Sequence, residues 1–186
     1  MADSASSFDA IASKPDELRA ALLEQLRYLV DEVEVLKAVV DRVPEPVQAG
    51  RPTPDALTMK EIYGVIARKD ERVHRPRIAR IAESEEENAL RFEPVEDRAL
   101  AAQEDWNAIP IHDILERVQA ARRALVELLE GLPEAAWARV GRIGDEALSV
   151  FEIAHRITQD DARRLRTLSH RLYETNLTGR GRDLPK

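Results

Sequence analysis

An aspartate stands where an aliphatic residue belongs. From Val150 onward, apolar residues recur at alternating steps of four and three, through Ala154, Ile157, Leu165, Leu168 and Leu172. The step after Ile157 lands on Asp161. On an earlier segment, the step from Ile66 toward Val73 lands on Lys69 or Asp70. A charge turned into a helical core costs several kcal/mol unless an opposite charge meets it. Two such charges on different helices predict mutual pairing. One reading is a Lys–Asp or Arg–Asp bridge with one edge in water. A second is the polar wall of a small-molecule pocket, formed by Lys69, Asp70, Asp160, Asp161, Arg164 and Trp106. A third is drift of the stripe that leaves one or both charges exposed.

Histidines and carboxylates on one helical face can share a cation. Asp70 and His74 are four residues apart, and His155 lies one turn before Gln159. Asp70, His74, His155 and Asp160 form the one metal set that the sequence assembles. His74, beside Pro76, reads as an exposed helix-end residue that meets the negative end of the dipole. His155 reads as a satisfied flank histidine, and His112 and His170 as surface residues. No metal and no cofactor are therefore expected. The chain has no cysteine, so it offers no thiolate nucleophile, disulfide or cysteine zinc site. It also lacks a phosphate-cradling glycine-rich loop, G-x-S-x-G and H-E-x-x-H.

Four amphipathic segments must position these residues. The first runs from about Pro15 to Val43, with Leu22, Leu26, Leu29, Val33, Leu36, Val40 and Val43 on one stripe. Ser13 suits its cap, and Asp16 and Glu17 suit its positive end. Pro44 stops it, and Pro46, Pro52 and Pro54 stiffen the next stretch of chain. A second helix starts near Asp55 or Thr58 and turns Met59, Ile62, Ile66 and Val73 inward; Pro76 should kink or end it. Residues 77–82 can add a turn before the acidic run Glu83–Glu87. Periodicity is then weak as far as Pro110, with short helical pieces expected around residues 95–104. A third helix begins near Ile111 and stops at Gly131 and Pro133. Residues 132–147 read as a turn or short helix and a Gly-punctuated loop. A fourth helix covers about Ser149 to Thr175. Trp137 is expected as a lid over one end, and Trp106 as either a core plug or a pocket wall. No strand pattern is evident. The expected fold is an all-α four-helix bundle with a long connection between helices 2 and 3. Its expected bounds are a flexible terminus over 1–14, a single domain over 15–175 and a flexible tail over 176–186.

The order of these pieces resembles the DinB-like superfamily, four-helix bundles named for DNA-damage inducibility that include metal-dependent enzymes and thiol-dependent transferases. The matching stretches are ALLEQLRYLVDEVEVLKAVVDRVPE, LTMKEIYGVIARKDERVHRPRIARI, DWNAIPIHDILERVQAARRALVELLEGLPEAAWAR and SVFEIAHRITQDDARRLRTL, spanning roughly residues 18–172. Metal-binding members use one histidine on the second helix and two at i, i+4 on the fourth. By this resemblance those positions fall on Val65, Asp160 and Arg164; a slip of one moves the pair to Gln159 and Arg163. None is histidine, and arginine cannot ligate a metal. The resemblance thus implies a divergent member with a degenerate metal site: a stress-related, non-catalytic ligand-binding or interaction protein. The alternative is a thiol-dependent transferase or hydrolase that keeps another metal set or an Arg/Asp acid–base pair.

Composition narrows the partners. The chain has 186 residues, a net charge of −7 and 4% aromatics. No run of apolar residues is long enough for a membrane span. The terminus MADSASSFDA shows neither the basic nor the apolar region of a secretion signal, so a cytoplasmic protein is expected. Arginines cluster at Arg72, Arg75, Arg77 and Arg80 and at Arg163, Arg164, Arg166 and Arg171, but Asp and Glu interleave with them. With a negative total, nucleic-acid binding is not expected. A homodimer through exposed helix faces and a small-molecule ligand are the expected partners.

Overall fold

The computed structural model describes residues 15–84 and 90–180, with side chains as far as Leu172. The expected Ser13 cap, the Glu85–Glu87 part of the acidic run and residues 181–186 of the tail lie outside the described residues. Helix α1 (Pro15–Lys37) buries Leu22, Leu26, Leu29 and Val33. It ends short of the expected Val43. Residue types that precede proline are pushed toward extended backbone, and Val43 sits at φ −87°, ψ 116°. The chain tightens instead into a 3-10 turn, Val40–Arg42, that keeps Val40 buried. A short helix α2 (Glu45–Gln48) fills part of the proline-rich connection.

Helix α3 (Met59–Lys69) opens on a capping box. Thr58 Oγ1 accepts from the Glu61 N–H, and the Glu61 carboxylate accepts from the Thr58 N–H. The helix neither ends nor breaks at Pro76. It widens into a π turn, Asp70–His74, in which the Arg75 N–H reaches the Asp70 carbonyl, and continues as α4 (Arg75–Glu83). Proline removes a donor and its ring crowds the preceding turn. The wide turn directly before Pro76 accommodates that ring.

The connection to the third long helix holds strand β1 (Arg91–Phe92), helix α5 (Asp97–Ala101) and a 3-10 turn, Trp106–Ala108. Helix α6 (Ile111–Glu130) stops at Gly131. A 3-10 turn, Glu134–Ala138, then carries Trp137. Strands β2 (Val140–Ile143) and β3 (Glu146–Ser149) form an antiparallel hairpin, and β1 pairs with β2 in parallel. This sheet corrects the expected Gly-punctuated loop. Strands of two to four residues are too short to show alternation in a sequence. The hairpin loop has two residues, and the first, Gly144, takes φ 59°, which glycine adopts without strain. Helix α7 (Val150–Arg180) starts at Ser149, whose hydroxyl and N–H pair with Glu152, and runs past the expected end at Thr175.

Helix α6 is the spine: α1 and α3 pack on it, and α7 packs along α1. The core has two main bodies, beside a small cluster of Val65, Val73, Leu100 and Ala101. One gathers Leu29, Val33, Ile62, Ile66, Leu115, Val118 and Leu168. The other gathers Leu22, Leu26, Ile78, Leu125, Leu129, Trp137, Ile153 and Ile157. On three helices a charged residue stands at the level between them: Asp70, Arg122 and Asp161. Among the described residues, no helix is long and apolar enough to cross a membrane.

Candidate functional site

The charged layer is a bridge across the bundle. Arg122 donates from Nε to Asp70 Oδ2 at 2.7 Å and from Nη1 to Asp161 Oδ2 at 2.5 Å. The side chains of Asp70 and Arg122 are 0% and 1% exposed, and that of Asp161 is 10% exposed. Asp70 Oδ1 meets His74 Nδ1 at 2.8 Å. Burial alone would raise the Asp70 carboxyl. The Arg122 charge and the hydrogen bonds from His74 and Arg122 outweigh it and hold the group below the usual carboxylate range. Burial pushes the Asp161 carboxyl up, against the pull of Arg122. Burial would also lower Arg122, but the two aspartates outweigh it and the cation is held firmly.

The expected pairing of Asp161 with the second helix is thus real but indirect, and Arg122 is the residue that sequence reasoning missed. A signal existed. Steps of four and three from Ile111 run through Leu115, Val118, Arg122, Leu125 and Leu129, so the rule that exposed Asp161 also exposes Arg122.

The remaining expected pocket residues form a second network nearer the surface. Asp97, on α5, accepts from Lys69 Nζ at 2.5 Å and from Arg164 Nη2 at 2.9 Å. Asp160 pairs with Arg163 and lies 3.8 Å from Arg164. Nothing in the sequence points to Asp97, because the connection that carries it has no periodicity to place it. Trp106 is buried in the core as a plug. Its ring lies against Gly64, where an added Cβ would come within 2.2 Å of the indole. The guanidinium groups of Arg68 and Arg117 lie over the same ring, 5.6 and 5.1 Å from its centre. Trp137 packs at one end of the bundle with Phe151, ring centres 6.4 Å apart.

The structure separates the alternative metal set. Asp70 and His74 touch, but His155 hydrogen-bonds Gln159 at 3.0 Å and borders a different groove, with Gln25, Tyr28 and Asp161. Among the described residues, no three His, Asp or Glu side chains converge in a way that could hold an ion. His74 also departs from its expected place. The helix continues through Pro76, so His74 is an interior-facing residue of that helix rather than an exposed end, and its side chain is 15% exposed.

What His74 borders is a cleft of about 180 Å³ between the π turn, α7 and the sheet. Lys69, His74, Arg77, Arg156 and Asp160 supply its polar groups; Val73, Pro94, Ile143, Leu148, Ile153 and Ile157 are among its apolar walls. The Asp70 carboxylate accepts from His74 at 2.8 Å, so Nδ1 of His74 carries a proton, and in the neutral imidazole Nε2 is then the acceptor. In an imidazole the two nitrogens point in divergent directions, so Nε2 is turned away from Asp70. The arrangement can bind a small polar molecule and take a proton from it.

No protein-family profile matches the chain, and no curated protein matches its sequence. Among solved structures, the chain is similar to YfiT from Bacillus subtilis, described as a probable metal-dependent hydrolase with an unusual four-helix bundle topology. The identity is 11% and the TM-score 0.74, over 87% of this chain and 89% of that one. This likeness establishes the fold as an all-α four-helix bundle of the YfiT kind.

Proposed function

We propose that this bundle is a small-molecule-binding protein that works without the histidine metal triad of the superfamily it resembles, and that the cleft beside His74 is its binding site. The observation that carries this reading is what occupies the three expected metal positions. Val65 is fully buried against Val73, Leu100 and Ala101, while Asp160 and Arg164 are drawn into ion pairs with Arg163 and Asp97. A buried valine and an engaged arginine cannot ligate a cation. The cleft that Asp160 borders keeps a histidine held by a buried carboxylate. A stress-related setting, a cytoplasmic location and a homodimer belong to the same proposal through the resemblance and the composition. Elemental analysis of protein purified without chelator tests it: zinc, nickel and manganese are expected far below one per chain, and a stoichiometric metal overturns the reading.

The Asp70–His74 pair favours a second reading, a metal-independent hydrolase. There His74 Nε2 takes a proton from water, the hydroxide adds to an acyl carbon, and the proton passes to the departing alkoxide. Turnover of a carboxylate ester that disappears in His74→Gln would support it; equal turnover in both proteins removes it.

A further inference from the structure

Three cations border the cleft, and they are not equivalent. Lys69 is engaged by Asp97, and Arg156 by Glu146. Arg77 meets no carboxylate among the described residues: it donates to the Glu93 carbonyl and lies over the Phe92 ring, 5.5 Å from its centre. A guanidinium has five N–H donors, so most of those on Arg77 are uncommitted. Burial lowers its affinity for its proton, and no anion among the described residues offsets that. A half-buried cation with no counter-ion among the described residues is a seat for an anionic group.

His74 stands three residues before Arg77, on the same face of the helix. Its basic Nε2 is an acceptor, so the atom that meets it must bring a hydrogen. The two positions together ask for an anion beside a donor. Phosphate fits poorly, since it brings acceptor oxygens to a lone pair and finds one free guanidinium. An ammonium would answer the lone pair but would sit among Lys69, Arg77 and Arg156, with Asp160 as the one carboxylate bordering the cleft. A hydroxyl answers it without that repulsion. The remaining wall is aliphatic, and the volume is well under the ~300–1,000 Å³ of drug-sized sites.

Resting on the metal-free binding reading above, we propose that the cleft takes a short-chain hydroxy acid. Its carboxylate sits on the Arg77 guanidinium, its hydroxyl donates to His74 Nε2, and its branched body packs on Val73, Ile153 and Ile157.

Titration calorimetry with 2-hydroxyisovalerate, isovalerate, valine and inorganic phosphate tests this on the full chain. The hydroxy acid should bind about tenfold more tightly than isovalerate, the span of one good hydrogen bond, and valine and phosphate more weakly still. His74→Leu should bring the hydroxy acid down to the isovalerate level. Arg77→Met should weaken both acids, and Arg77→Lys, which keeps the charge but not the fork, should fall between. Helical circular dichroism on each variant separates a lost site from a lost fold. No binding by either acid, equal binding of the two, or binding unchanged in Arg77→Met overturns the assignment. Metal content measured on the same preparation tests the metal-free reading separately. A metal-free protein that fails this series sinks the hydroxy-acid inference and leaves that reading standing.

Discussion

Asp70 and Asp161, on helices that flank α6, share a single guanidinium, with Arg122 at 2.7 Å from one and 2.5 Å from the other. Removing the shared cation strands two buried carboxylates, whereas removing all three groups strands none. Arg122→Met should therefore lose about 3–5 kcal/mol of stability. The apolar triple variant Asp70→Leu, Arg122→Met, Asp161→Leu should recover most of that loss. Urea unfolding monitored by helical circular dichroism measures both. If Arg122→Met unfolds at the wild-type midpoint, the bridge is not holding the two halves of the core.

The two aspartates should respond to pH with opposite sign. Asp70 has a lowered pKa in the fold. Its contribution is present above the unfolded value of about 3.9 and is lost as pH falls through the lower folded value. Asp161 has a raised pKa. Its contribution is present below about 3.9 and is lost as pH rises through the higher folded value. Relative to wild type, Asp161→Asn should therefore be more favourable at pH above the folded value than in acid. Asp70→Asn should be most costly at neutral pH and least costly in strong acid. Stability curves of the two variants against pH that run parallel would refute the assignment.

The same chemistry shows what a sequence reveals and what it conceals. Asp161 is legible because aspartate is short: at an inward position it cannot reach water. Arg122 occupies an equally inward position, yet a long side chain in a helix reads as one that carries its charge to the surface. His74 is obscured by Pro76, which usually signals an end; here the helix continues through a π turn, and His74 lies along it beside Asp70 rather than at an exposed end. Helix order and the place of Trp137 at one end of the bundle follow from periodicity and residue type, whereas Trp106 reads from sequence as either a core plug or a pocket wall. Asp97 follows from neither, because nothing in a weakly periodic connection fixes which way a side chain faces. The hairpin rests on two four-residue strands and a two-residue loop, too little to register as alternation.

Gly64 gives a test whose sign distinguishes a tight contact from ordinary helix propensity. In an open helix interior, alanine is better than glycine by ~1 kcal/mol. Here the new Cβ would enter the Trp106 indole, and that ring is 1% exposed with Arg68 and Arg117 lying over it. Gly64→Ala should consequently destabilise by about 1–3 kcal/mol through overpacking and shift the Trp106 emission toward that of an exposed indole. A gain in stability would mean that the ring yields freely.

Asp97 tests whether the surface network governs charge at the cleft. Burial would raise its carboxyl, but the hydrogen bonds and charges of Lys69 and Arg164 hold it below the usual range. Its side chain is 36% exposed, so solvent screens the pairs and Asp97→Asn should cost no more than about 1 kcal/mol in stability. Its effect on binding should be larger. Lys69 and Asp97 are 2.5 Å apart, and loss of the carboxylate frees Lys69, which borders the cleft, to face an incoming anion. Affinity for 2-hydroxyisovalerate should rise several-fold, with a steeper fall as salt is added, since the gain comes from a screened charge. The same titration on Arg156→Met should show little change, because the Arg156 side chain is 51% exposed and paired with Glu146 at the surface. Affinity that is unchanged in Asp97→Asn, or that falls, would show that Lys69 does not reach the anion and that Arg77 alone supplies the charge.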